Sequence, residues 1–314
     1  MQGAMRSMSA SPAAALLAAA ALAVRAAGCT AAPATAAPSL PRLDAQTSLL
    51  VVAPHPDDET LCCAGVIQRV ARAGGRASVV WITSGDASEL DLLLIEKSLF
   101  VKPEEARALA ATRMREAREA SARLGVPEAG QLFLGYPDRG VLRLLTDHRA
   151  TPYTSGSTGA AAVPYRAALF PGHPYTGESL ERDFAAVLER VQPTLILAPS
   201  PRDSHPDHRA AGLLTIAVST RRGGLPGVRY WIVHGGEGWP SPRGLLPGVP
   251  LTAAPRSRGL ALAVFALEPA EEDRMLEALR AYDTQMRTLA PFLLAFVRST
   301  ELFASLPGAQ LAPQ

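Results

Sequence analysis

Short apolar runs alternate with longer amphipathic segments along most of the chain. The first run, SLLVVA at residues 48–53, has the length of a buried strand, and helical periodicity follows from Asp57 to Ala73, before a Gly-Gly stop. Further strand candidates lie at residues 77–85, 131–138 and 194–200, and helix candidates at 103–124 and 178–191. This alternation predicts an α/β domain: a mostly parallel sheet between two helical layers, in a three-layer α/β/α Rossmann-like arrangement.

The later part of the chain gives a weaker pattern. Strands are predicted from Arg229 and from Leu260, and residues 269–303 are predicted to be helical with a break near Pro291. Residues 141–176 are rich in Gly, Ser, Thr, Pro and Tyr. A segment of this kind is either a cover over a site or a plain flexible insertion, and both interpretations stay open.

The first residues have the composition of an export signal. Arg6 precedes an apolar stretch, residues 13–24, that is too short to span a bilayer. We therefore predict a signal peptide at 1–28, a linker at 29–45 and one catalytic domain at 46–314, in an exported, periplasmic or extracellular protein. The stretch AAGC ending at Cys29 resembles a lipoprotein cleavage box. Lipid anchoring through Cys29, simple cleavage and an unprocessed leader are the three alternatives.

Composition narrows the class of partner. The formal net charge of the 314 residues is +2, which gives no reason to expect nucleic acid or extensive binding to anionic lipid. The other two cysteines, Cys62 and Cys63, are adjacent, and no CxxC pair is present to bind zinc. We expect them to be two small unbonded residues in a buried helix, because a disulfide between neighbours distorts the backbone.

Two polar clusters each follow a strand candidate. PHPDDE occupies residues 54–59, and SHPDH occupies residues 204–208. Since the carboxyl ends of parallel strands share one edge of a sheet, we expect the clusters to meet. A capped helix start explains one acidic residue of the first cluster, but neither its histidine nor the second cluster.

Spacing within the clusters suggests a metal site. His55 and Asp58 are three residues apart, as are His205 and His208, and each pair falls on one face of a helix start. Imidazole and carboxylate suit zinc; three protein ligands plus water make a catalytic site, whereas four make a closed structural one. Spacing favours Asp58 over Asp57 as the ligand without excluding the reverse.

The two clusters together resemble the PIG-L/LmbE-like family of zinc-dependent N-acetylglucosaminyl deacetylases. Arg113 and Glu116 before LGV, the LGYPD motif at residues 134–138, AYDTQM at 281–286 and the later STELF extend the resemblance from residue 48 to the end. The resemblance implies one Zn²⁺ per chain, another divalent metal being an alternative. It also implies the following roles: metal ligands His55, Asp58 and His208; general base Asp57; cation or acid His205; sugar contacts Arg113 and Asp138.

One position departs from the family pattern. Some members have a tyrosine shortly before the HPDH motif, which helps to activate the substrate carbonyl, whereas this chain has Asp203 and Ser204 there. The helper is therefore absent or comes from elsewhere. Three tyrosines of the long segment are candidates: Tyr153, Tyr165 and Tyr175.

The predicted function is a zinc-dependent hydrolase that removes N-acetyl from an N-acetylglucosaminyl-type sugar or glycoconjugate and releases acetate. One alternative is a zinc amidase acting on a lipopeptide, antibiotic or thiol conjugate. The other is a metal- or sugar-binding protein without turnover. Asp57 argues against the last, because binding a metal does not require an additional base.

Overall fold

A seven-stranded sheet forms the middle layer of the structure, a computed structural model that describes residues 39–87, 102–223 and 227–306. The strands are β1 (Ser48–Ala53), β2 (Arg76–Thr83), β3 (Gln131–Tyr136), β4 (Leu195–Pro199), β5 (Val228–Trp231), β6 (Ala261–Ala266) and β7 (Thr300–Ser305). Their order is β3-β2-β1-β4-β5-β7-β6. The first five are parallel, and β7 is antiparallel to both of its neighbours.

The described residues form seven α-helices, six of which pack in two groups. They are α1 (Asp58–Arg72), α2 (Pro103–Leu124), α3 (Val141–Thr146), α4 (Gly177–Val191), α5 (Pro206–Arg221), α6 (Pro269–Leu279) and α7 (Asp283–Leu293). Helices α1, α2 and α6 pack together, and α3, α4 and α5 form the second group. The predicted α/β/α arrangement is confirmed. Within the described ranges, no helix combines the length and apolar character needed to cross a membrane.

The centre of the sheet is fully buried. All six residues of β1 are buried, as the continuous apolar run predicts for a central parallel strand. On the neighbouring strands, Trp81 stacks on Phe133 with ring centroids 4.3 Å apart. Burying a large apolar side chain stabilises the fold by about 1.5–3 kcal/mol, so this core gives the site a rigid base.

The strand order explains why the two polar clusters meet. From β1 the sheet runs to β2 and β3 on one side and to β4 and β5 on the other. Strands β1 and β4 are neighbours, and the strand order reverses between them. The loops after these two strands therefore lie on either side of the switch point of the sheet, where parallel α/β sheets bind ligands. Residues 54–57 and 200–205 lie in those two loops.

Several local expectations are wrong. Residues 269–303 form two helices and the start of β7, not one helix; the break falls at residues 280–282, and Pro291 lies inside α7. Residues 141–146 are helical. The sulfurs of Cys62 and Cys63 are bonded, although both residues do lie buried in α1. The predicted signal peptide, Cys29 and the linker up to residue 38 lie outside the described residues.

Candidate metal centre and active site

Three predicted ligands converge at the ends of β1 and β4. His55 Nδ1 lies 3.3 Å from Asp58 Oδ2 and 3.3 Å from His208 Nε2, and the last two atoms are 3.2 Å apart. A tetrahedral zinc ion with bonds of about 2.0–2.1 Å requires ligand atoms about 3.3 Å apart. The triangle formed by two imidazole nitrogens and one carboxylate oxygen therefore fits zinc in both chemistry and size.

Local backbone structure places these side chains. His55 follows β1 by two residues, and its backbone N–H donates to Asp58 Oδ2 at 2.9 Å, which ties the loop to the first turn of α1. His208 lies in the first turn of α5, and its side chain is completely buried. Both imidazoles are thus held by helix starts at the same sheet edge.

A looser set includes His205. Its ligand atoms lie within 4.8 Å of those of His55 and His208. However, His205 caps α5, because its Nδ1 accepts the backbone N–H of Asp207 at 3.3 Å. That bond leaves Nε2 as the donor of the neutral ring. We therefore assign the third ligand position to Asp58, and we place His205 beside the triad formed by His55, Asp58 and His208.

Carboxylates surround the outer sides of the ligand imidazoles. His55 Nε2 lies 3.3 Å from Asp138 Oδ1 and 3.4 Å from Asp207 Oδ2. His208 Nδ1 lies 3.3 Å from Asp203 Oδ2. Such partners orient metal-binding histidines and raise their basicity. Sequence analysis missed Asp203 and Asp207 in this role, although acidic residues beside paired histidines are a signal for it.

Asp207 supports the site rather than providing a second metal site. Its oxygens accept the backbone N–H groups of Arg139 at 2.6 Å and Val141 at 3.1 Å. The carboxylate therefore fastens the loop after β3 to His55. Asp138 lies in the same loop, and its Oδ2 accepts the N–H of Ala87 at 3.2 Å.

Electrostatics favour positive charge at the triad. Burial lowers the pKa of His208, but the adjacent carboxylates of Asp58 and Asp203 outweigh burial and raise that pKa to about 9. Burial raises the pKa of Asp58, yet His208 and His55 bring it well below its ordinary value. A field that stabilises a proton on a buried imidazole also stabilises a divalent cation in its place.

The predicted general base, Asp57, lies beside the triad and is held by a hydrogen bond from another side chain. Asp57 has φ of 121°, a strained conformation for a residue with a side chain. Its Oδ2 accepts a hydrogen bond from Gln285 Nε2, which also donates to Pro56 O at 3.0 Å. Burial, followed by the charge of Asp58, raises the pKa of Asp57 well above its ordinary value. Gln285 was not identified from the sequence.

The predicted sugar contacts line the same cavity. It is bordered by Asp57, Arg113, Asp138 and His205, among others. The guanidinium of Arg113 donates to Gly85 O at 2.9 Å and to Pro56 O at 3.2 Å. Arg113 therefore supports the loop carrying Asp57 as well as bordering the cavity.

The long segment does not supply the missing tyrosine. Tyr165 donates to Asp86 Oδ2 at 2.6 Å, and Tyr175 donates to Gly135 O at 3.1 Å. The Tyr153 ring packs against His148, with centroids 5.3 Å apart. In the described part of the chain, none of these tyrosines borders the cavity, and neither does any residue of 147–176. The interpretation of this segment as a cover over the site is wrong for these residues.

Helix α7 and the loop after β5 form a wall that sequence analysis missed. Gln285, Leu289 and Phe292 follow one another at helical spacing and border the cavity. His234 also borders it and stacks on Phe292, with centroids 5.8 Å apart and planes 15° apart. A histidine directly after a strand candidate was the available signal for this residue.

Residues 50–219 match the family model PIG-L, described as GlcNAc-PI de-N-acetylase. The chain belongs to the PIG-L family. Among its relatives is a protein of Actinosynnema mirum, 30% identical over 180 residues, which are 56% of each chain. Another, from Tsukamurella paurometabola, is 28% identical over 273 residues, or 79% of this chain and 86% of the relative. Both are named 1D-myo-inositol 2-acetamido-2-deoxy-alpha-D-glucopyranoside deacetylase.

Solved structures support the fold independently. The A40926 pseudoaglycone deacetylase Dbv21 aligns with a TM-score of 0.55 at 16% identity, covering 86% of this chain and all of that one (100%). A deacetylase triple mutant (Orf2*T) from the teicoplanin biosynthetic pathway aligns with a TM-score of 0.50 at 16% identity, covering 82% and 97%. At this identity the likeness shows a common fold.

Proposed function

We propose that this PIG-L family protein is a zinc-dependent N-deacetylase that removes acetate from an N-acetylglucosaminyl-type sugar or glycoconjugate. The spacing of 3.2–3.3 Å among His55 Nδ1, Asp58 Oδ2 and His208 Nε2 carries the proposal. Asp57, a carboxylate beside this triad that is not needed as a ligand, favours catalysis over simple metal binding.

When bound, the ion lowers the pKa of water and polarises the acyl carbonyl. Asp57 accepts a proton from the attacking water as the water oxygen adds to the carbonyl carbon. The raised pKa of Asp57, caused first by burial, suits a group that takes up a proton and later releases it. Gln285 holds one Asp57 oxygen by a hydrogen bond, which leaves the other oxygen to accept the proton.

The C–N bond then breaks and the amine leaves with a proton. His205 is placed to donate through Nε2, because its Nδ1 accepts the N–H of Asp207. Burial, followed by the neighbouring His55 and His208, lowers the pKa of His205 to about 2, so its neutral ring donates a hydrogen bond, while the proton taken up by Asp57 passes to the departing nitrogen. The products are acetate and the free amine, and one water is consumed.

The names of the relatives support a glucosamine-type substrate. Both curated relatives are named as deacetylases of a 2-acetamido-2-deoxyglucopyranoside linked to inositol. The cavity has Asp138 and Arg113 at its border, and both are polar groups suited to binding a sugar ring. We assign these two residues to contacts with the sugar hydroxyls.

Acetate release by purified, zinc-loaded protein tests the proposal. The donor panel contains N-acetylglucosaminyl-inositol, N-acetylglucosamine and N,N'-diacetylchitobiose, together with N-acyl peptides. Release from the sugars, and loss of release in Asp57→Asn with zinc content unchanged, is expected. Release confined to N-acyl peptides, or full activity of Asp57→Asn, would contradict the proposal.

We propose further that this reaction takes place outside the cytoplasm, from the signal-like composition of residues 1–28. Cell fractionation with mass analysis of the mature chain tests this. A chain beginning near Cys29 in the exported fraction is expected, with added lipid mass if Cys29 is acylated. A full-length chain in the cytoplasm would contradict it.

A further inference from the structure

His234 is held beside the triad by its backbone. Its N–H donates to Asp203 Oδ2 at 3.0 Å, and its carbonyl accepts from Ser204 N at 3.1 Å and Ser204 Oγ at 2.9 Å. The loop after β5 is therefore fastened to the loop after β4, through the same Asp203 carboxylate that contacts His208. His234 is held through both its backbone N–H and its carbonyl, so it cannot move away without breaking these hydrogen bonds.

The ring of His234 occupies the space next to the catalytic histidines. Its centroid lies 4.7 Å from that of His208 and 5.1 Å from that of His205. On another side it stacks on Phe292, which fixes the plane of the ring. The imidazole is thus clamped among three rings and borders the cavity.

The ring nitrogens of His234 are available to a ligand. None of the described residues forms a hydrogen bond with either nitrogen, whereas Nδ1 of His205 is used in capping α5. A neutral imidazole carries one N–H donor in either tautomer, and a protonated ring carries two. A donor is therefore present whatever the protonation state.

The described cavity border includes no tyrosine; it includes two arginines, Arg139 and Arg113, and Arg113 is bound to two backbone carbonyls. His234 lies outside residues 50–219, the part matched by the family model. Its assignment therefore rests on the geometry of this chain.

We propose that His234 is a further catalytic residue, whose ring N–H donates to the oxygen of the scissile acyl carbonyl as that oxygen gains negative charge. The assignment rests on the proposed deacetylase function. No bond of His234 breaks: water adds at the carbonyl carbon, the C–N bond cleaves, and the donor stabilises charge on the oxygen between these events. A group adjacent to a ligand of the triad is placed for the acyl oxygen rather than for distant sugar hydroxyls.

The test uses full-length, zinc-loaded protein and N-acetylglucosaminyl-inositol. His234→Phe keeps the ring and its stacking but removes both nitrogens. Loss of one donor to a developing oxyanion lowers kcat about 10²–10³-fold, and we expect KM to stay within about threefold of the wild type. His148→Phe is the matched control, because His148 packs on an aromatic ring away from the cavity; its kcat is expected to be unchanged.

A second pair covers the case in which His234→Phe is unstable. Asn and Leu have the same number and branching of side-chain heavy atoms, and only Asn offers an N–H, so kcat of His234→Asn should exceed that of His234→Leu by about tenfold or more. Zinc content, measured by elemental analysis, is expected to match the wild type in all variants. Zinc content therefore distinguishes the loss of a hydrogen-bond donor from the loss of the metal.

Two results would overturn the assignment while the proposed function stands. One is a kcat of His234→Phe within about threefold of an active wild type, and the other is a loss confined to KM, which indicates ground-state binding. If the wild type releases no acetate from any donor, the proposed function is wrong and the role of His234 is overturned with it.

Discussion

Replacing Gln285 with leucine tests how the proposed base is held. Gln285 is 1% exposed, and its Nε2 donates to both Asp57 Oδ2 and Pro56 O. Since both partners are acceptors, they fix the orientation of the amide. Leucine has nearly the same volume and no donor, so the substitution removes the hydrogen bonds and leaves the packing.

The expected loss of stability follows from the partners that remain. Pro56 O keeps a hydrogen bond from Arg113 Nη2 at 3.2 Å. Asp57 Oδ2 has no other donor among the described residues, and a hydrogen bond to a charged group contributes about 1.5–3 kcal/mol. Gln285 Oε1 is buried without a partner, so its removal returns part of the loss. We expect a net destabilisation of about 2 kcal/mol, or about 4–8 °C in Tm.

The expected loss of activity has a separate cause, the orientation of the Asp57 carboxylate. An unrestrained Asp57 carboxylate no longer faces the attacking water, and general-base catalysis contributes about 10²–10⁴-fold. We therefore expect kcat of Gln285→Leu to fall about 10–100-fold at a temperature where the variant is fully folded.

Acetate release and thermal unfolding are measured side by side with zinc content. Gln46→Leu, at an exposed position, is the control and is expected to behave as the wild type. A Gln285→Leu variant with kcat within about threefold of the wild type would refute the claim that Gln285 positions the base.

Three further substitutions test other contacts. Asp57→Asn should retain zinc while kcat falls about 10²–10⁴-fold, measured by acetate release with elemental analysis. Asp207→Asn should weaken zinc binding about 10–100-fold in chelator competition, with the exposed Asp147→Asn unchanged. Burial raises the pKa of Glu301 to about 8, so its contribution to stability is present below about pH 4.5 and is lost as pH rises through 8. Denaturant unfolding between about pH 6 and 9 should therefore show a smaller loss of stability for Glu301→Gln than for the wild type, whereas equal slopes would contradict this.

The central strands and the meeting of the two histidine clusters were predictable because their signals are local. A buried parallel strand is a continuous apolar run, and the SLLVVA run coincides with β1. The paired spacing of the histidine clusters needed only the rule that parallel strands share an edge. Spacing favoured Asp58 over Asp57 as the ligand without excluding the reverse, and the placed atoms put Asp58 Oδ2 within 3.3 Å of His55 Nδ1 and 3.2 Å of His208 Nε2.

The remaining parts of the site depend on contacts between distant residues. Gln285 meets Asp57 across 228 positions in the sequence, and no local pattern indicates such a contact. His234 was passed over because a single histidine after a short strand is not distinctive. The start of β7 was predicted to be helical, because its sequence TELFAS lacks the alternation of apolar and polar residues typical of a half-buried strand. The strand pairs antiparallel with its neighbours, towards the end of the sheet opposite β3.

Anomalous diffraction at the zinc edge, on crystals of the zinc-loaded protein, tests the central claim most directly. We predict one anomalous peak per chain, bonded to His55 Nδ1, Asp58 Oδ2 and His208 Nε2 at about 2.0–2.2 Å, with a further position open to solvent. The peak should be lost in His208→Ala. A protein that is active with no peak at these three atoms, or with its zinc bound elsewhere, would contradict the account.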